Sequence, residues 1–178
     1  MTAEPVFDPG RILVLLEQRG VDYVLVGGLA AVIHGSPAMT NDADIVPRKE
    51  KANLARLARA LRGLDARLRT SDSAEGVAFD PHPALLESMA MLKMTTRCGD
   101  LDLTFAPAAL SDYDQLAAAS VEFELAGHRV RVASLADIIR SKEEANRDKD
   151  WATLPLLYAL AEEIEQGRSN AAEGGGIK

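Results

Sequence analysis

The sequence predicts an α/β (α+β) fold, a small mixed β-sheet flanked by helices with a helical C-terminal segment. Three observations predict it. Residues 49–63 place Leu54, Leu57, Ala58 and Leu61 on one stripe at helical spacing. Gly99 to Phe105 alternates, with Leu101, Leu103 and Phe105 on one side and Asp100, Asp102 and Thr104 on the other. Helix-like and strand-like runs also interleave along the chain, the order expected when helices cover a sheet.

Taken in order, residues 8–19 carry Ile12, Leu13, Leu15 and Leu16 among polar positions, a short amphipathic helix ended by Gly20. Val21 to Val26 is a β-branched, apolar strand that runs into a turn at Gly27-Gly28, and Leu29 to His34 has helical composition up to Gly35. Ser36 to Asn41 is a loop. Asp42 to Val46 reads as a second strand that Pro47 stops, because proline has no N–H for the ladder. The helix at 49–63 follows, with Arg56, Arg59 and Arg62 on its other faces. Residues 64–82 are weakly patterned and predict strand pieces around a mobile loop at Thr70 to Ser73. Leu85 to Thr96 fits helix or strand alike.

Beyond the 99–105 strand, a short helix near Asp112 to Ala119 precedes a hairpin, Val121 to Leu125 returning through Gly127-His128 as Val130 to Val132. Ser134 is a good N-cap for a helix from Leu135 to about Asn146. Asp150 to Glu165 predicts a last helix interrupted near Pro155. Ala171 to Gly176 has linker composition. The reading is therefore one domain over 1–170, with its sheet region at about 21–133 and its C-terminal helices at about 134–167, and a flexible tail over 171–178.

The 178 residues hold 20 Lys and Arg against 27 Asp and Glu, a net charge of −7. That balance argues against a protein that coats nucleic acid non-specifically, since neutralising phosphates takes Lys and Arg. The single Cys98 excludes an internal disulfide framework and fits a reducing compartment. The N-terminus has neither the basic nor the apolar region of a secretory signal, and no run approaches a membrane span, so a cytoplasmic location is expected.

Three features bear on chemistry. Gly27-Gly28 between strand and helix is either a tight reversal or a phosphate seat, where bare backbone meets an anion. Asp42 and Asp44 lie two apart on a strand, so both carboxylates share a face and repel one another. Either that is a solvated acidic strand end, or divalent cations relieve the repulsion, and hard oxygen ligands suit Mg²⁺. Asp102 lies on the polar face of its own strand, beside Asp100. D-x-D-x-V also fits the haloacid-dehalogenase phosphatase motif letter by letter, but that motif should follow a buried strand rather than the polar loop 36–41. The dinucleotide fingerprint and the phosphate loop ending in G-K-[S/T] are both absent.

The run VGGLAAVIHGSPAMTNDADI resembles the signature of the DNA polymerase beta-type nucleotidyltransferase superfamily, a Gly-Gly turn followed after a short helix by Asp-x-Asp. CGDLDLTF resembles the later strand that brings a third carboxylate, and SLADIIRSKEEANRDKDW resembles the downstream helix with its lysine and K-D or R-D pair. The resemblance spans about residues 21–155 and is closest to the AbiEii and MenT-type toxins of bacterial toxin–antitoxin systems. Many relatives carry an arginine in the loop before Thr-x-Asp-x-Asp, where this chain has Ala38.

The resemblance implies a nucleotidyltransferase fold in which Asp42, Asp44 and Asp102 are catalytic metal ligands. They would hold Mg²⁺, two ions, with Mn²⁺ as the substitute, and Asp102 would serve as general base or as ligand to the activating metal. Gly27 and Gly28 would seat the nucleotide phosphates. With Ala38 in place of arginine, contact with the triphosphate falls to Lys142 and Arg147. Lys142, Asn146 and Lys149 share helical spacing and form one candidate face, although Lys142 by itself also reads as a surface lysine. Asp150 either fixes Lys142 or Arg147 or merely starts the last helix. Thr40, otherwise a loop residue with a local hydrogen bond, becomes a candidate for regulatory phosphorylation, since a phosphate beside two aspartates would compete for metal and nucleotide.

The expected reaction moves a nucleoside monophosphate from an NTP, with CTP or UTP as candidate donors, to the 3′ end of tRNA, blocking translation. The expected partners are NTP, tRNA and a cognate antitoxin, with no membrane. A protein or an antibiotic as acceptor, and an idle binding module, are the alternatives. Arg56, Arg59 and Arg62, or the 140–149 region, could meet RNA phosphates or be plain surface. His34, His82 and His128 have no metal-ligand spacing, and Cys98, Met89, Met91, Met94, Tyr23 and Trp151 are assigned to packing.

Overall fold

The structure, a computed structural model, describes residues 6–105 and 112–174. The chain order is α1 (Pro9–Gln18), β1 (Tyr23–Val26), α2 (Gly27–Ile33), β2 (Asp42–Pro47), α3 (Lys51–Gly63), β3 (Arg67–Thr70), β4 (Ser73–Ala78), α4 (Pro83–Ser88), β5 (Met91–Thr96), β6 (Gly99–Thr104), α5 (Tyr113–Ala119), β7 (Val121–Leu125), β8 (His128–Val132), α6 (Leu135–Ala145) and α7 (Asp148–Gly174). Among the described residues the eight strands form one mixed sheet, ordered β4-β3-β5-β6-β2-β1-β8-β7.

Local chemistry starts most of these elements where the sequence places them. Asp8 caps α1 by accepting from the Arg11 amide at 3.1 Å, with Pro9 in the first turn where no N–H is needed. The α3 stripe of Leu54, Leu57, Ala58 and Leu61 is buried as its spacing requires. Truncating one of these leucines to alanine would cost about 2–5 kcal/mol. Ser134 accepts from the Asp137 amide at 3.1 Å and starts α6.

β2 and β6 run parallel at the middle of the sheet, with Asp42 opposite Asp100, Ala43 opposite Leu101, Asp44 opposite Asp102 and Ile45 opposite Leu103. Ala43, Ile45, Leu101 and Leu103 are buried in the core. Strand alternation therefore turns all four aspartates to the other face.

Several elements differ from expectation. The glycine turn leaves no spacer before the helix, because α2 starts at Gly27 itself, where φ is +69°. Thr70 and Ser73 pair across a tight hairpin where a mobile loop was expected. A register shift between Leu68 and Thr70 breaks the alternation there, so the sequence lacks a strand signal. Leu85 to Thr96 divides into α4 and β5. α7 runs unbroken through Pro155. Proline forfeits one hydrogen bond there, but Leu154 and Leu157 on either side are buried and hold the helix down. Residues 171–174 continue that helix, and 175–178 lie outside the described residues.

Met94 fills the core, whereas Met91 is 52% and Trp151 57% exposed. Tyr23 and Cys98 are buried. No helix among the described residues is long and apolar enough to cross a membrane.

Candidate active site

Asp42, Asp44 and Asp102 each bring a carboxylate oxygen within 4.8 Å of the others. The parallel pairing causes this, because it sets Asp44 directly beside Asp102 and leaves Asp42 one pleat away on the same face. Asp102 is buried and the other two are half-buried. They line one side of a cleft of about 550 Å³.

β1 delivers the glycines to the same place. Val26 pairs with Asp44, so the chain leaves the strand against that carboxylate. Gly27 has φ +69°, and a Cβ there would stand 2.3 Å from Asp44 Oδ2. A Cβ on Gly28 would stand 2.8 Å from Thr40 Oγ1. Glycine is thus required by close approach and not only by chain reversal. The Thr40 hydroxyl donates to Asp42 Oδ1 at 2.8 Å, fixing one carboxylate from the loop side.

The opposite wall is cationic. Lys142 on α6 donates to Asp150 Oδ1 at 3.0 Å, and Arg147 Nε donates to Asp150 Oδ2 at 2.6 Å. Asp150 has no exposed side-chain surface, so both cations are anchored from beneath. Burial pulls the Asp150 carboxyl upward, but the hydrogen bonds from Arg147 and Lys142 outweigh it and hold it below the usual range. Lys149 also lines the cleft. It does not share a helical face with Lys142 and Asn146, since α6 ends at Asn146, whose φ of 49° is left-handed. Asn146 instead accepts from Trp151 Nε1 at 2.7 Å and fastens the turn between α6 and α7.

Every residue that the sequence singles out for the site, Gly27, Gly28, Thr40, Asp42, Asp44, Asp102, Lys142, Arg147 and Asp150, lines this one cleft. Ala38 lines it too, with no positive charge to offer. Arg56 and Arg62 are engaged elsewhere, with Asn53 at 3.2 Å and Asp80 at 2.9 Å.

Two cations here were not anticipated. Arg69 on β3 reaches past β5 to Asp102, its Nη2 lying 2.8 Å from Oδ1 and 3.0 Å from Oδ2, while Nη1 donates to Asp100. Lys93 on β5 stands opposite Asp102 in register and lines the cleft. No local motif marks Arg69, because its place depends on the strand order β3-β5-β6.

No protein-family model matches the sequence, and no curated protein matches it significantly. Solved structures do match. The lincosamide antibiotic adenylyltransferase LnuA, lincomycin-bound, superposes with a TM-score of 0.60 at 13% identity, over 88% of this chain and 99% of its own. ANT(2″)-Ia in complex with adenylyl-2″-tobramycin gives 0.53 at 16% identity, over 93% of this chain and 95% of its own. The chain has the nucleotidyltransferase fold.

Within that fold the electrostatics of the carboxylates favour a cation. Burial first, then Asp42 and Asp102, push the Asp44 carboxyl up to about 6, with Lys149 and Arg147 opposing. Asp102 is also raised, by burial above all, with Arg69 and Lys93 acting against it and Asp42 and Asp100 with it. Three converging hard oxygen donors whose mutual repulsion is only partly offset by these cations form a site that could hold a divalent ion such as Mg²⁺ or Mn²⁺.

Proposed function

We propose that the protein transfers a nucleoside monophosphate from an NTP to a hydroxyl of an acceptor, releasing pyrophosphate. The observation that carries this reading is the pairing of three converging carboxylates with an anchored cationic wall across one cleft. A triphosphate needs both: cations for its charge and carboxylates for the ions that accompany it.

Asp42, Asp44 and Asp102 would hold Mg²⁺, two ions, which when bound withdraw charge from the phosphoryl oxygens and lower the pKa of the attacking hydroxyl. Gly27 and Gly28 let the triphosphate approach the backbone beside Asp44. Lys142 and Arg147, presented by Asp150, neutralise its outer phosphates and the departing pyrophosphate. Asp102 faces the acceptor side and orients the hydroxyl or takes its proton. The new bond joins the acceptor oxygen to the α-phosphorus as the α–β bond breaks.

For the acceptor we propose the 3′ end of tRNA, with the protein acting as the translation-blocking toxin of a toxin–antitoxin pair. The sequence resemblance leads to that reading, and the charge around Asp102 supports it. An acceptor approaching there meets Arg69 and Lys93, which suit a polyanion. The fold neighbours favour a second reading, since LnuA and ANT(2″)-Ia are named for antibiotics. Thr40 is proposed as the regulatory site, where a phosphate would crowd Asp42 and Gly28.

The test is incubation with Mg²⁺, each labelled NTP in turn and total tRNA, beside an Asp42→Ala/Asp44→Ala control. Label in tRNA that vanishes in the control is the expected result and names the donor base. Label entering an aminoglycoside or lincosamide, but not RNA, would move the reading to the antibiotic acceptor.

A further inference from the structure

Arg69 occupies the carboxylate that the site needs for its chemistry. One guanidinium nitrogen straddles both oxygens of Asp102, at 2.8 and 3.0 Å, and another donates to Asp100, two residues away on the same face of β6. A structural brace between β3 and β6 has no need of this arrangement, because β3 is already tied to β5 through its backbone and β5 to β6 along the whole strand. The fork also divides four neighbouring carboxylates unevenly. Asp100 is drawn to Arg69, while Asp102 still has an oxygen within 4.8 Å of those of Asp42 and Asp44.

We infer that Arg69 is a positioning residue acting through Asp102, whose carboxylate it fixes beside Asp44 while competing with a divalent cation for its lone pairs. The inference rests on the reading of Asp42, Asp44 and Asp102 as a metal site. Arg69 keeps Asp100 out of the ligand set, which explains why the second carboxylate on the same strand face does not join the cluster. A cation entering the site must take an oxygen from the guanidinium and bear its repulsion, so Arg69 offsets the charge of Asp102 and makes cation loading weaker. Arg69 is about one-third exposed and has room to turn toward the open side of the cleft when displaced. Once released, it remains at the acceptor side as a free cation next to Lys93.

Nucleotide-free Mn²⁺ binding, read as the loss of the free-ion EPR signal, tests this with wild type, Arg69→Gln, Arg69→Lys and Asp44→Asn. Arg69→Gln is expected to bind Mn²⁺ about tenfold more tightly than wild type, since a like charge a few ångströms away is removed. Arg69→Lys, which keeps the charge and loses the fork, should fall between the two. Unchanged or weaker binding by folded Arg69→Gln, in a protein whose Mn²⁺ binding Asp44→Asn removes, overturns the inference and leaves the metal site standing. Should Arg69→Gln fail to fold, Arg69→Lys decides by the same criterion. Mn²⁺ binding that survives Asp44→Asn, or is absent from wild type and both Arg69 variants, overturns the metal reading and the inference with it.

Discussion

Gly27 and Asp44 are so close that a methyl group on the glycine would lie 2.3 Å from the carboxylate oxygen. Register causes this: Val26 is the partner of Asp44, and the next residue must turn into α2 with φ at +69°. Gly27→Ala would therefore act twice. The left-handed backbone costs about 1–2 kcal/mol for a residue with a side chain, and Asp44 must swing away. We expect thermal stability to fall modestly and transfer to fall about 100-fold, the scale of an ångström's misplacement in a catalytic group. Gly28→Ala should act through Thr40 and more mildly, because a side-chain hydroxyl can rotate. Melting curves and single-turnover assays on both variants check this.

Asp44→Asn should separate function from stability. The carboxylate is held against burial and two like charges, so neutralising it relieves the metal-free protein. In chelator at neutral pH the variant is expected to melt higher than wild type, by on the order of 1–2 kcal/mol of stability after solvent screening. Transfer should be lost. A lower melting temperature would show that the carboxylate contributes to the fold rather than straining it.

Asp150 has the opposite sign. Its carboxyl is held below the usual range because the hydrogen bonds from Arg147 and Lys142 together exceed the cost of burial. The stabilisation is present above the unfolded value of about 3.9 and is lost as pH falls through the lower folded value. Asp150→Asn should cost about 3–5 kcal/mol, the scale for breaking a buried pair from one side, and flatten the acid limb of the stability curve. Lys142 and Arg147 lose their anchor together, so KM for NTP should rise. Urea unfolding between pH 3 and 7 and initial rates against NTP read both effects.

These tests fall on residues that differ in how openly the sequence shows them. The three carboxylates, the glycines and the Lys142–Asp150 pair were legible because strand alternation, a glycine pair and short spacings are local signals. Asp102 and Asp100 share a strand face and each stands opposite an aspartate of β2, so alternation alone does not separate them; the G-x-L-D-L resemblance points to Asp102, and the structure gathers Asp102 rather than Asp100 with Asp42 and Asp44. Arg69 was illegible, as β3 joins the site through β5, which follows it in the chain only after β4 and α4. The β3–β4 hairpin was obscured by its own register shift. Pro155 misled because propensity describes an isolated helix, while Leu154 and Leu157 bury this one.

Thr40→Glu should abolish transfer while the protein stays folded. The hydroxyl lies 2.8 Å from Asp42 Oδ1, so an added carboxylate meets one that already stands beside Asp44 and Asp102. Thr40→Val, which removes only the hydrogen bond, should retain most activity. Melting temperature and transfer rate, measured side by side, distinguish a charge effect from a packing effect. Full activity in Thr40→Glu would remove Thr40 as a regulatory site.

Lys93→Glu separates the two acceptor readings by the sign of its effect. Lys93 is exposed, stands opposite Asp102 and lines the cleft away from the Lys142 and Arg147 wall, so its charge bears on the acceptor more than on the NTP. With an RNA acceptor, replacing the cation by an anion loses a phosphate contact and adds repulsion. KM for tRNA should then rise about tenfold, the slope of its logarithm against log salt should drop by about one, and KM for NTP should stay unchanged. A polycationic antibiotic would respond in the opposite sense, binding more tightly to Lys93→Glu. Since the same variant and the same assay give opposite directions for the two acceptors, the result does not depend on how efficient the enzyme is with either one.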